Sequence, residues 1–553
     1  MRGGAGLMRR REFLTATGAL ALAGCEAPHT IEGGFTGIDI ARGHAWRDGA
    51  LRAGTPAVTR RTRVMIAGGG VAGLAAARAL RQSGIEDFAL LELEDTAGGN
   101  ARAGQVAGIA CPLGAHYLPV PGDDAPEVQD LLEELGLRRR VAGRWEYDER
   151  HLCHSPQERL FFQGEWQEGL LPVHGVGEST LAQYRLFAQR VDALRRATRF
   201  TIPMAKVSTT PALLALDAIN FAAWLDRESL GDRQLRWYLE YCCRDDYGAG
   251  LAQVSAWAGI HYFASRHGFH APGDEGADRD AVLTWPEGNG WLTQRLAAPL
   301  GDRLQTGQVV TRIAETKGGV EVDAFDIASK SLLRWQAERC IVALPVFIAA
   351  RVVENPPAVL RHAAAHLRYA PWLVANVHLR APLADRPGPA PSWDNVLYGT
   401  RGLGYVDARH QTLDPTPRAT VLTWYRPLGA SSVDGDYGRR RLQDQPWTAW
   451  RDELLAELSR PHPDLARQAT RIELTRYGHA MAIPTPGLLS QIGPQRPLDR
   501  RSALSNQEHG HVIAGRLAFA HADWSGYSIF EEAFTRGHLA GMDRAIGWAR
   551  SRP

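Results

Sequence analysis

The fold is decided by one stretch, residues 63–94, which reads RVMIAGGGVAGLAAARALRQSGIEDFALLELE. A short apolar run, 63–67, leads into a glycine-rich turn and then into an alanine-rich segment from Leu74 to Arg81. A second apolar run ends at Glu92. This order of strand, tight turn, helix, strand and acid is typical of the first half of a dinucleotide-binding domain.

Each position of the turn has a physical task. Gly68 permits a tight turn, Gly70 lets backbone N–H groups approach a pyrophosphate, and Gly73 lets the helix pack closely on the strand. The first helical N–H groups, at Val71 and Ala72, would face the phosphates. Glu92 stands 19 positions after Gly73, where a carboxylate can hold ribose hydroxyls, and Glu94 competes for that role. The motif alone suits either NAD or FAD.

A second glycine motif narrows the choice. Residues 95–102 read DTAGGNAR, so a double glycine, Gly98-Gly99, begins six residues after Glu92. This arrangement resembles the N-terminal pattern of the FAD-containing amine oxidases, phytoene desaturases and protoporphyrinogen oxidases. The resemblance implies that Gly98 and Gly99 lie against the pyrophosphate and flavin. Asn100 stands where the family usually has arginine, and Arg102 is the candidate substitute.

Further segments are similar to the family's other FAD contacts. The resemblance implies a backbone contact to adenine at Val310 and a position near the flavin for Gly114, Ala115 and His116. The run from His511 to Gly515 resembles the final FAD strand. After that glycine the family has an acid, but this chain has Arg516, so Asp523 is the candidate carboxylate. Gly526 would precede the terminal helix, whose N-terminus faces the flavin; Glu532 stands there where the family often has glycine.

These segments predict an α/β protein with two domains. A discontinuous Rossmann-type FAD domain comprises residues 62–115, 286–355 and 480–553. The remaining blocks, 116–285 and 356–479, form a second, α+β substrate domain. No second dinucleotide motif is present in the sequence, so no site for NAD(P)H is evident.

The expected substrate pocket lies before the flavin. By resemblance, Tyr477 and His479 line it, and with His116 they are the candidate catalytic residues. The adjacent Asp245 and Asp246 could bind a substrate cation, but a capping or salt-bridge role is the commoner one. Many amine oxidases place a lysine against flavin N5; Asn376 stands at the matching position here, and the only lysines are Lys206, Lys317 and Lys330.

Three functions remain open. The first is oxidation of an amine, including a polyamine, by hydride transfer to flavin N5. The second is desaturation or isomerisation of an apolar substrate, which the missing lysine favours. The third is a flavin that serves electron transfer or structure beside a membrane partner.

The N-terminus predicts export. Residues 8–14 read MRRREFL and precede an apolar run that is too short to span a bilayer. This is the pattern of a twin-arginine (Tat) signal. Residues 22–25, LAGC, resemble a bacterial lipobox, which implies lipidation of Cys25 and a periplasmic protein anchored to a membrane. Residues 1–25 are thus predicted to be the signal, and 26–61 a tether.

Composition excludes some functions. The 553 residues carry a formal net charge of only +2, which provides no basic field for nucleic acid. The cysteine spacings match no metal site, and buried free thiols are expected after Cys25. The expected partner is a small-molecule substrate, and nothing in the sequence sets the oligomeric state.

Overall fold

We describe a computed structural model of the chain. It describes residues 30–51, 54–153, 157–207, 210–273, 281–384, 386–408, 410, 416, 418–429, 435–492 and 512–542. The predicted signal, residues 1–25 with Cys25, lies outside the described residues, as does His511.

The first layer is a six-stranded sheet that contains the glycine-rich turn. Its spatial order is β13 (Leu304–Gln305), β4 (Phe88–Leu91), β3 (Val64–Ala67), β17 (Arg339–Val342), β24 (Leu517–Phe519) and β23 (Val512–Ala514). All neighbours run parallel except β23 and β24, which form a hairpin. The inner strands are fully buried, as expected of a parallel sheet covered on both faces.

Two helices cross closely against this sheet. They are α2 (Val71–Gln82) and α16 (Phe530–Met542). A Cβ atom on Gly537 would lie 2.0 Å from the Ala72 carbonyl oxygen, and one on Gly541 would lie 2.6 Å from that of Ala76. The two glycines therefore allow the terminal helix to lie directly on the helix that follows the turn.

A four-stranded sheet flanks the first. Its order is β14 (Gln308–Glu315), β15 (Val320–Asp326), β16 (Ser331–Ala337) and β2 (Val58–Arg61). The helices α9 (Gly290–Ala297), α10 (Val346–Val352) and α11 (Ala358–His366) belong to the same part of the chain. Most of these elements lie in segments predicted for the FAD domain, but α11 lies in a block predicted for the substrate domain and β2 in the predicted tether.

The second domain is built on an eight-stranded, mostly antiparallel sheet. Its order is β1 (Glu32–Phe35), β22 (Ala469–Ile483), β18 (Arg368–Leu379), β21 (Thr420–Pro427), β20 (Tyr405–Asp407), β19 (Asp394–Leu397), β10 (Glu158–Phe162) and β11 (Glu165–Glu168). The strand β22 is 15 residues long and runs from this sheet towards the last FAD segment.

Helices cover one side of this sheet. They are α4 (Glu178–Ala197), α5 (Pro211–Asp217), α6 (Phe221–Arg227), α7 (Arg233–Tyr247) and α8 (Ala256–Ala264). The other described α-helices are α3 (Pro126–Glu134), α12 (Gly435–Asp444), α13 (Trp447–Leu458), α14 (Leu465–Gln468) and α15 (Leu488–Ile492). Three two-stranded sheets are also present: β5 (Ala103–Val106) with β6 (Ile109–Pro112), β7 (Tyr117–Pro119) with β12 (Val282–Thr284), and β8 (Arg138–Val141) with β9 (Arg144–Tyr147). The apolar sides of α4 to α8 form much of the core of the substrate domain.

The prediction of a tether over residues 26–61 is wrong for most of its described part. β1 pairs in parallel with β22, α1 (Ile40–Arg47) follows it, and β2 pairs in parallel with β16. The short strand β1 reads EGGF, so it carries no apolar alternation from which a strand could be predicted. Its backbone pairing, rather than its side chains, holds it to the sheet.

The five cysteines Cys111, Cys153, Cys242, Cys243 and Cys340 are buried free thiols. Burial raises the pKa of the Cys111 and Cys153 thiols to about 12. Within the described ranges, no helix is both long and apolar enough to cross a bilayer.

Candidate active site

The glycine-rich turn has no room for side chains at two positions. Gly68 has φ +104°, and a Cβ atom on it would lie 2.4 Å from the Ala343 carbonyl oxygen. A Cβ atom on Gly73 would lie 1.9 Å from the Gly68 carbonyl oxygen. Gly70 is different, because the nearest atom to its Cβ position is the Cα of Gly99, at 3.9 Å. The space at Gly70 is therefore open in the protein itself, as a phosphate approach requires.

The helix after this turn begins with unoccupied donors. Gly70 is the N-cap of α2 and supplies no side-chain hydrogen bond. The first N–H groups of a helix have no intrahelical partner, and those of Val71 and Ala72 are among them. An uncapped N-terminus of this kind suits an anionic pyrophosphate.

Glu92 ends β4 beside the turn. Its carboxylate accepts hydrogen bonds from the backbone N–H groups of Gly69 and Glu94, both at 2.9 Å. Burial raises the pKa of this carboxyl group, and the two backbone donors oppose that shift. The acid is thus held in a fixed orientation at the position predicted for a ribose ligand.

The double glycine folds back onto the first turn. The Gly98 N–H donates to the Gly69 carbonyl oxygen at 2.8 Å, and Gly70 and Gly98 form a parallel bridge. Gly98 and Gly99 have φ of +128° and +57°, which glycine adopts without strain. The sequence prediction that the two glycine segments act on one ligand is therefore supported by their contact.

Asn100 and Arg102 point in different directions. The Asn100 side-chain amide donates to the Ala480 carbonyl oxygen at 2.7 Å. Arg102 is buried, donates to the Gly99 carbonyl oxygen at 3.2 Å, and forms an ion pair with Glu94 at 3.7 Å. Arg102 therefore braces the double-glycine turn, and Glu94, the competitor for the ribose role, is engaged by it.

The segment around Gly114 lies against the same turn. The Ala115 N–H donates to the Asn100 carbonyl oxygen at 2.9 Å. A Cβ atom on Gly114 would lie 2.1 Å from that oxygen. Val310 is buried in β14 at an irregular step of the strand. Gly114 and Ala115 are therefore joined directly to the double-glycine segment.

The final FAD segment requires a correction. Gly515 lies in the turn of the β23–β24 hairpin, next to Glu315. Because β24 runs parallel to β17 and β17 parallel to β3, the start of β24 lies at the edge of the sheet opposite Gly68. The end of β24, rather than its start, lies at the same edge as Gly68. This placement contradicts the predicted FAD contact of Gly515. For the same reason, Arg516 does not mark the place of a missing acid. The segment 520–526 takes their place.

Asp523 lies in that segment. Its carboxylate accepts hydrogen bonds from the Val346 N–H at 2.9 Å and the Tyr369 hydroxyl at 2.6 Å, and it lies 3.1 Å from the His521 ring. Gly526 closes the following turn with φ +63°. The carboxylate therefore lies at the expected edge of the sheet but is buried and bonded to protein groups, and its contact with FAD stays a prediction.

Glu532 has a structural task that explains its departure from the family. It is buried in the first turns of α16, accepts a hydrogen bond from the Ser525 hydroxyl at 2.6 Å, and is bonded to the Met204 N–H. The side chain therefore ties the start of the terminal helix to the substrate domain.

These groups fit FAD. The donors of an uncapped helix, the open space at Gly70, the contacting turn at Gly98 and the buried acid Glu92 are the complement of a pyrophosphate with its adenosine ribose. The flavin end would then extend past Gly114 towards the substrate domain.

An aromatic cluster follows Gly114. The His116 ring stacks on Tyr425 at 4.3 Å between centroids and lies 5.3 Å from Trp393 and 5.0 Å from Tyr117. The Tyr425 hydroxyl donates to the Gly114 carbonyl oxygen at 3.1 Å. Burial lowers the pKa of His116 to about 3, so the imidazole is neutral at physiological pH.

Two acids lie against this aromatic cluster. Asp245 is 3.5 Å from the Tyr117 hydroxyl, and Asp394 is 3.4 Å from the Tyr241 hydroxyl. Burial raises the pKa of Asp245 to about 7 and that of Asp394 well above its usual range. The charge of Asp245 adds to the upward shift of the Asp394 pKa. Among the described residues, neither acid forms an ion pair.

Asp245 and its neighbour differ sharply. Asp246 pairs with Arg266 at 3.2 Å and accepts a hydrogen bond from the Tyr527 hydroxyl at 2.6 Å. The predicted salt-bridge role is therefore confirmed for Asp246 and wrong for Asp245. Sequence reasoning misses Asp394; only its position directly after Trp393 could have drawn attention to it.

The remaining predicted residues are separated. The Tyr477 hydroxyl donates to the Leu113 carbonyl oxygen at 2.8 Å, just before Gly114. His479 is exposed and stacks on Phe347 at 4.3 Å, beside Tyr369. Both of these ring contacts lie outside the aromatic cluster, and the catalytic role of His479 stays a prediction.

Asn376 is part of the framework. Its amide donates to the Pro112 carbonyl oxygen at 3.0 Å and its side-chain oxygen accepts from the Thr423 hydroxyl at 2.7 Å. The side chain is fully buried. It therefore supports the stretch of chain that leads to Gly114.

Comparison with known proteins agrees with this geometry. The chain is 27% identical over 239 residues to an L-amino acid dehydrogenase of Synechocystis, which is 42% of this chain and 44% of that protein. This chain thus matches less than half the length of that curated relative. The structure is similar to putrescine oxidase bound to putrescine, with a TM-score of 0.64, 19% identity and coverage of 88% and 99% of the two chains.

A second solved structure has a different chemistry. A fatty acid isomerase from P. acnes aligns with a TM-score of 0.57 and 16% identity, covering 86% of this chain and 97% of that one. At such identities these likenesses show the fold alone. The family model described as flavin containing amine oxidoreductase matches residues 71–541. The chain therefore belongs to the family of flavin containing amine oxidoreductases.

Proposed function

We propose that this protein oxidises an amine that carries no carboxylate. One observation supports the proposal above the others: Asp245 is a half-buried acid beside an aromatic cluster and has no ion-pair partner among the described residues. Burying a carboxylate without a cation is costly. A substrate ammonium would remove that cost, since it supplies the missing charge.

The chain's own residues divide the work. Bound FAD supplies the oxidant that takes a hydride from the carbon next to nitrogen. Asp245 attracts the cationic nitrogen and can take up its proton because its pKa is about 7. The rings of Tyr425 and Trp393 favour a cation at their faces and exclude water. His116 stays neutral and shapes the pocket.

The nearby arginines argue against an amino acid substrate. Recognition of a carboxylate usually uses a free guanidinium. Arg266 is already paired with Asp246. Arg244 donates to the Arg401 carbonyl oxygen at 2.8 Å. Among the described residues, these two arginines are therefore already held by protein groups, which favours a substrate without a carboxylate.

A second candidate is isomerisation or desaturation of an apolar substrate. It is favoured by Asn376, which by resemblance stands where the family has its lysine and which is hydrogen-bonded to Pro112 and Thr423. The likeness to a fatty acid isomerase is consistent with it. Two acids without an ion-pair partner among the described residues weigh against it, because an apolar chain supplies no cation for them.

The test is anaerobic mixing of the FAD-loaded protein with a panel of monoamines, diamines, basic amino acids and unsaturated fatty acids. Bleaching of the oxidised flavin band by amines alone is the expected result. Bleaching by amino acids but not by amines would contradict the proposal, as would product formation from fatty acids only. Asp226→Asn, a change at an exposed acid, is the matched control for Asp245→Asn.

We also propose that the protein is exported by the Tat pathway and anchored through lipidated Cys25. The supporting observation is the sequence of residues 8–25. Replacing Arg9 and Arg10 by lysine should leave the protein in the cytoplasm. Replacing Cys25 by alanine should release it from the membrane fraction, and an unchanged distribution in either variant would overturn that part.

A further inference from the structure

Residues 32–47, which we call the N-terminal arm, bind both domains. In β1, Glu32 lies opposite Arg471 and Phe35 lies opposite Leu474 of β22. The Thr36 N–H then donates to the Leu474 carbonyl oxygen at 2.8 Å. The first half of the arm is thus an edge strand of the substrate-domain sheet.

The second half turns onto the FAD domain. Asp39 caps α1 by accepting from the Ala41 N–H at 3.0 Å. The Asp39 N–H donates to the Glu94 carboxylate at 3.3 Å. The start of α1 is therefore fixed to the segment just after Glu92.

Arg42 makes the strongest link. Its guanidinium donates to the Leu93 carbonyl oxygen at 3.0 Å and pairs with Asp95 at 2.9 Å. The Arg42 side chain is only 13% exposed although Asp95 is 79% exposed. A partly buried guanidinium with two partners on one loop fixes the path of that loop.

Trp46 anchors the end of the arm. It is 4% exposed and belongs to the same core cluster as Leu91, Val309 and Val310. Leu91 precedes Glu92, and Val310 is the predicted adenine contact. Helix α1 therefore contacts β14, which begins beside Glu92, and Trp46 shares a core cluster with the strand that leads to Glu92.

We infer that the N-terminal arm is a clamp that retains FAD. It holds residues 93–95, directly after the ribose acid Glu92, and it packs on the strand that carries Val310. Glu94, which accepts a hydrogen bond from Asp39 of the arm, forms an ion pair with Arg102 at 3.7 Å. Arg102 in turn donates a hydrogen bond to the double-glycine turn. Release of the adenosine half would then require this arm to loosen, and Arg42 is a positioning residue for FAD rather than a catalytic one.

The test measures the rate of FAD release. The holoprotein is diluted and the rise in flavin fluorescence is followed as FAD leaves. Arg42→Ala should release FAD about three- to tenfold faster, because it loses a charged hydrogen bond and an ion pair. Arg47→Ala is the control: Arg47 lies on the same helix but is 50% exposed and, among the described residues, pairs only with its neighbour Asp48. It should release FAD at the wild-type rate.

Asp95→Ala tests the same contact from the exposed side, so it serves where Arg42→Ala does not fold. Exchange of the pair, Arg42→Asp with Asp95→Arg, should restore part of the slow release. The unfolding midpoint of each FAD-free variant separates loss of the clamp from general instability. Wild-type release in both Arg42→Ala and Asp95→Ala would overturn the inference. So would equally fast release in Arg47→Ala.

Discussion

The dinucleotide end of the site, from Gly68 to Gly99, is formed mainly by backbone atoms, whereas the aromatic pocket around His116 is formed by side chains. At the dinucleotide end, backbone atoms do most of the work, and Gly68 to Gly99 form one short stretch of chain. In the pocket, side chains do the work, and His116, Asp245, Trp393 and Tyr425 come from distant segments. A site formed by backbone atoms requires positions that carry no side chain, such as glycines. A site formed by side chains requires particular residue types at its positions.

The largest effect is expected from a pair of glycine substitutions. In Gly73→Ala the new Cβ would meet the Gly68 carbonyl oxygen at 1.9 Å, so the domain should lose about 3 kcal/mol or fail to fold. In Gly70→Ala the nearest atom is 3.9 Å away, so the fold should persist while FAD is lost. Circular dichroism and the ratio of flavin to protein absorbance distinguish the two. Full flavin content in Gly70→Ala would show that this turn does not approach the pyrophosphate.

Glu92→Gln probes the one side chain that the dinucleotide end requires. The carboxylate accepts from two backbone N–H groups at 2.9 Å, and an amide can accept at only one of its two atoms. FAD affinity should fall about 10- to 100-fold, measured by flavin fluorescence titration. Unchanged affinity would transfer the ribose role to another group.

Asp245→Asn tests the corresponding charged side chain of the aromatic pocket. The KM for the amine should rise about tenfold or more, since a charged hydrogen bond is lost, and the flavin content should stay at the wild-type level. The exposed control Asp226→Asn should change neither. An equal loss of flavin in Asp245→Asn would mean that the two regions are not separable.

The pH dependence of stability provides a second test of Asp245. Burial raises the pKa of Asp245 from 3.8 to about 7, so the folded protein keeps a proton that the unfolded chain releases between these values. Stability from this group therefore falls as pH rises through that window. Asp245→Asn should raise the unfolding midpoint by ~1 °C or more near pH 8 relative to wild type, and less near pH 5.

Catalysis should show the opposite trend. The carboxylate form of Asp245 binds the ammonium, so kcat/KM should rise as pH increases through 7 and fall about tenfold per unit below it. Asp245→Asn should lack this limb. A wild-type profile that is flat near pH 7 would contradict the assignment.

The smallest effect is expected at His479. Its ring is exposed and stacks on Phe347, so His479→Ala should change kcat/KM by less than about twofold. His116→Ala removes the ring stacked on Tyr425 and should change it more. A large loss in His479→Ala would restore the catalytic role that the sequence predicts.

The dinucleotide end could be predicted from the sequence because its signals are local. Gly68, Gly73 and Glu92 lie within one strand–turn–helix–strand unit, and each residue type follows from the backbone path. The error at Gly515 has a related cause. A buried strand that ends in glycine looks the same in sequence whether it is the central parallel strand or the outer arm of a hairpin.

The pocket could not be predicted in this way. Asp245 and Asp246 are neighbours of identical chemistry, and only the fold shows that Arg266 reaches one of them. Asp394 meets Asp245 through tertiary packing, with no spacing to reveal it. The N-terminal arm has no local signal either, because Arg42 and Trp46 find partners about 50 and 265 positions later.

The burial of the five thiols affects how well the protein resists oxidation. The thiolate rather than the thiol is the nucleophile that reacts with peroxide and in thiol–disulfide exchange. With a pKa of about 12 at Cys111 and Cys153, roughly one molecule in 10⁵ carries the thiolate at neutral pH. Cysteine here serves as a small apolar residue of the core, so an oxidant finds almost no thiolate with which to react.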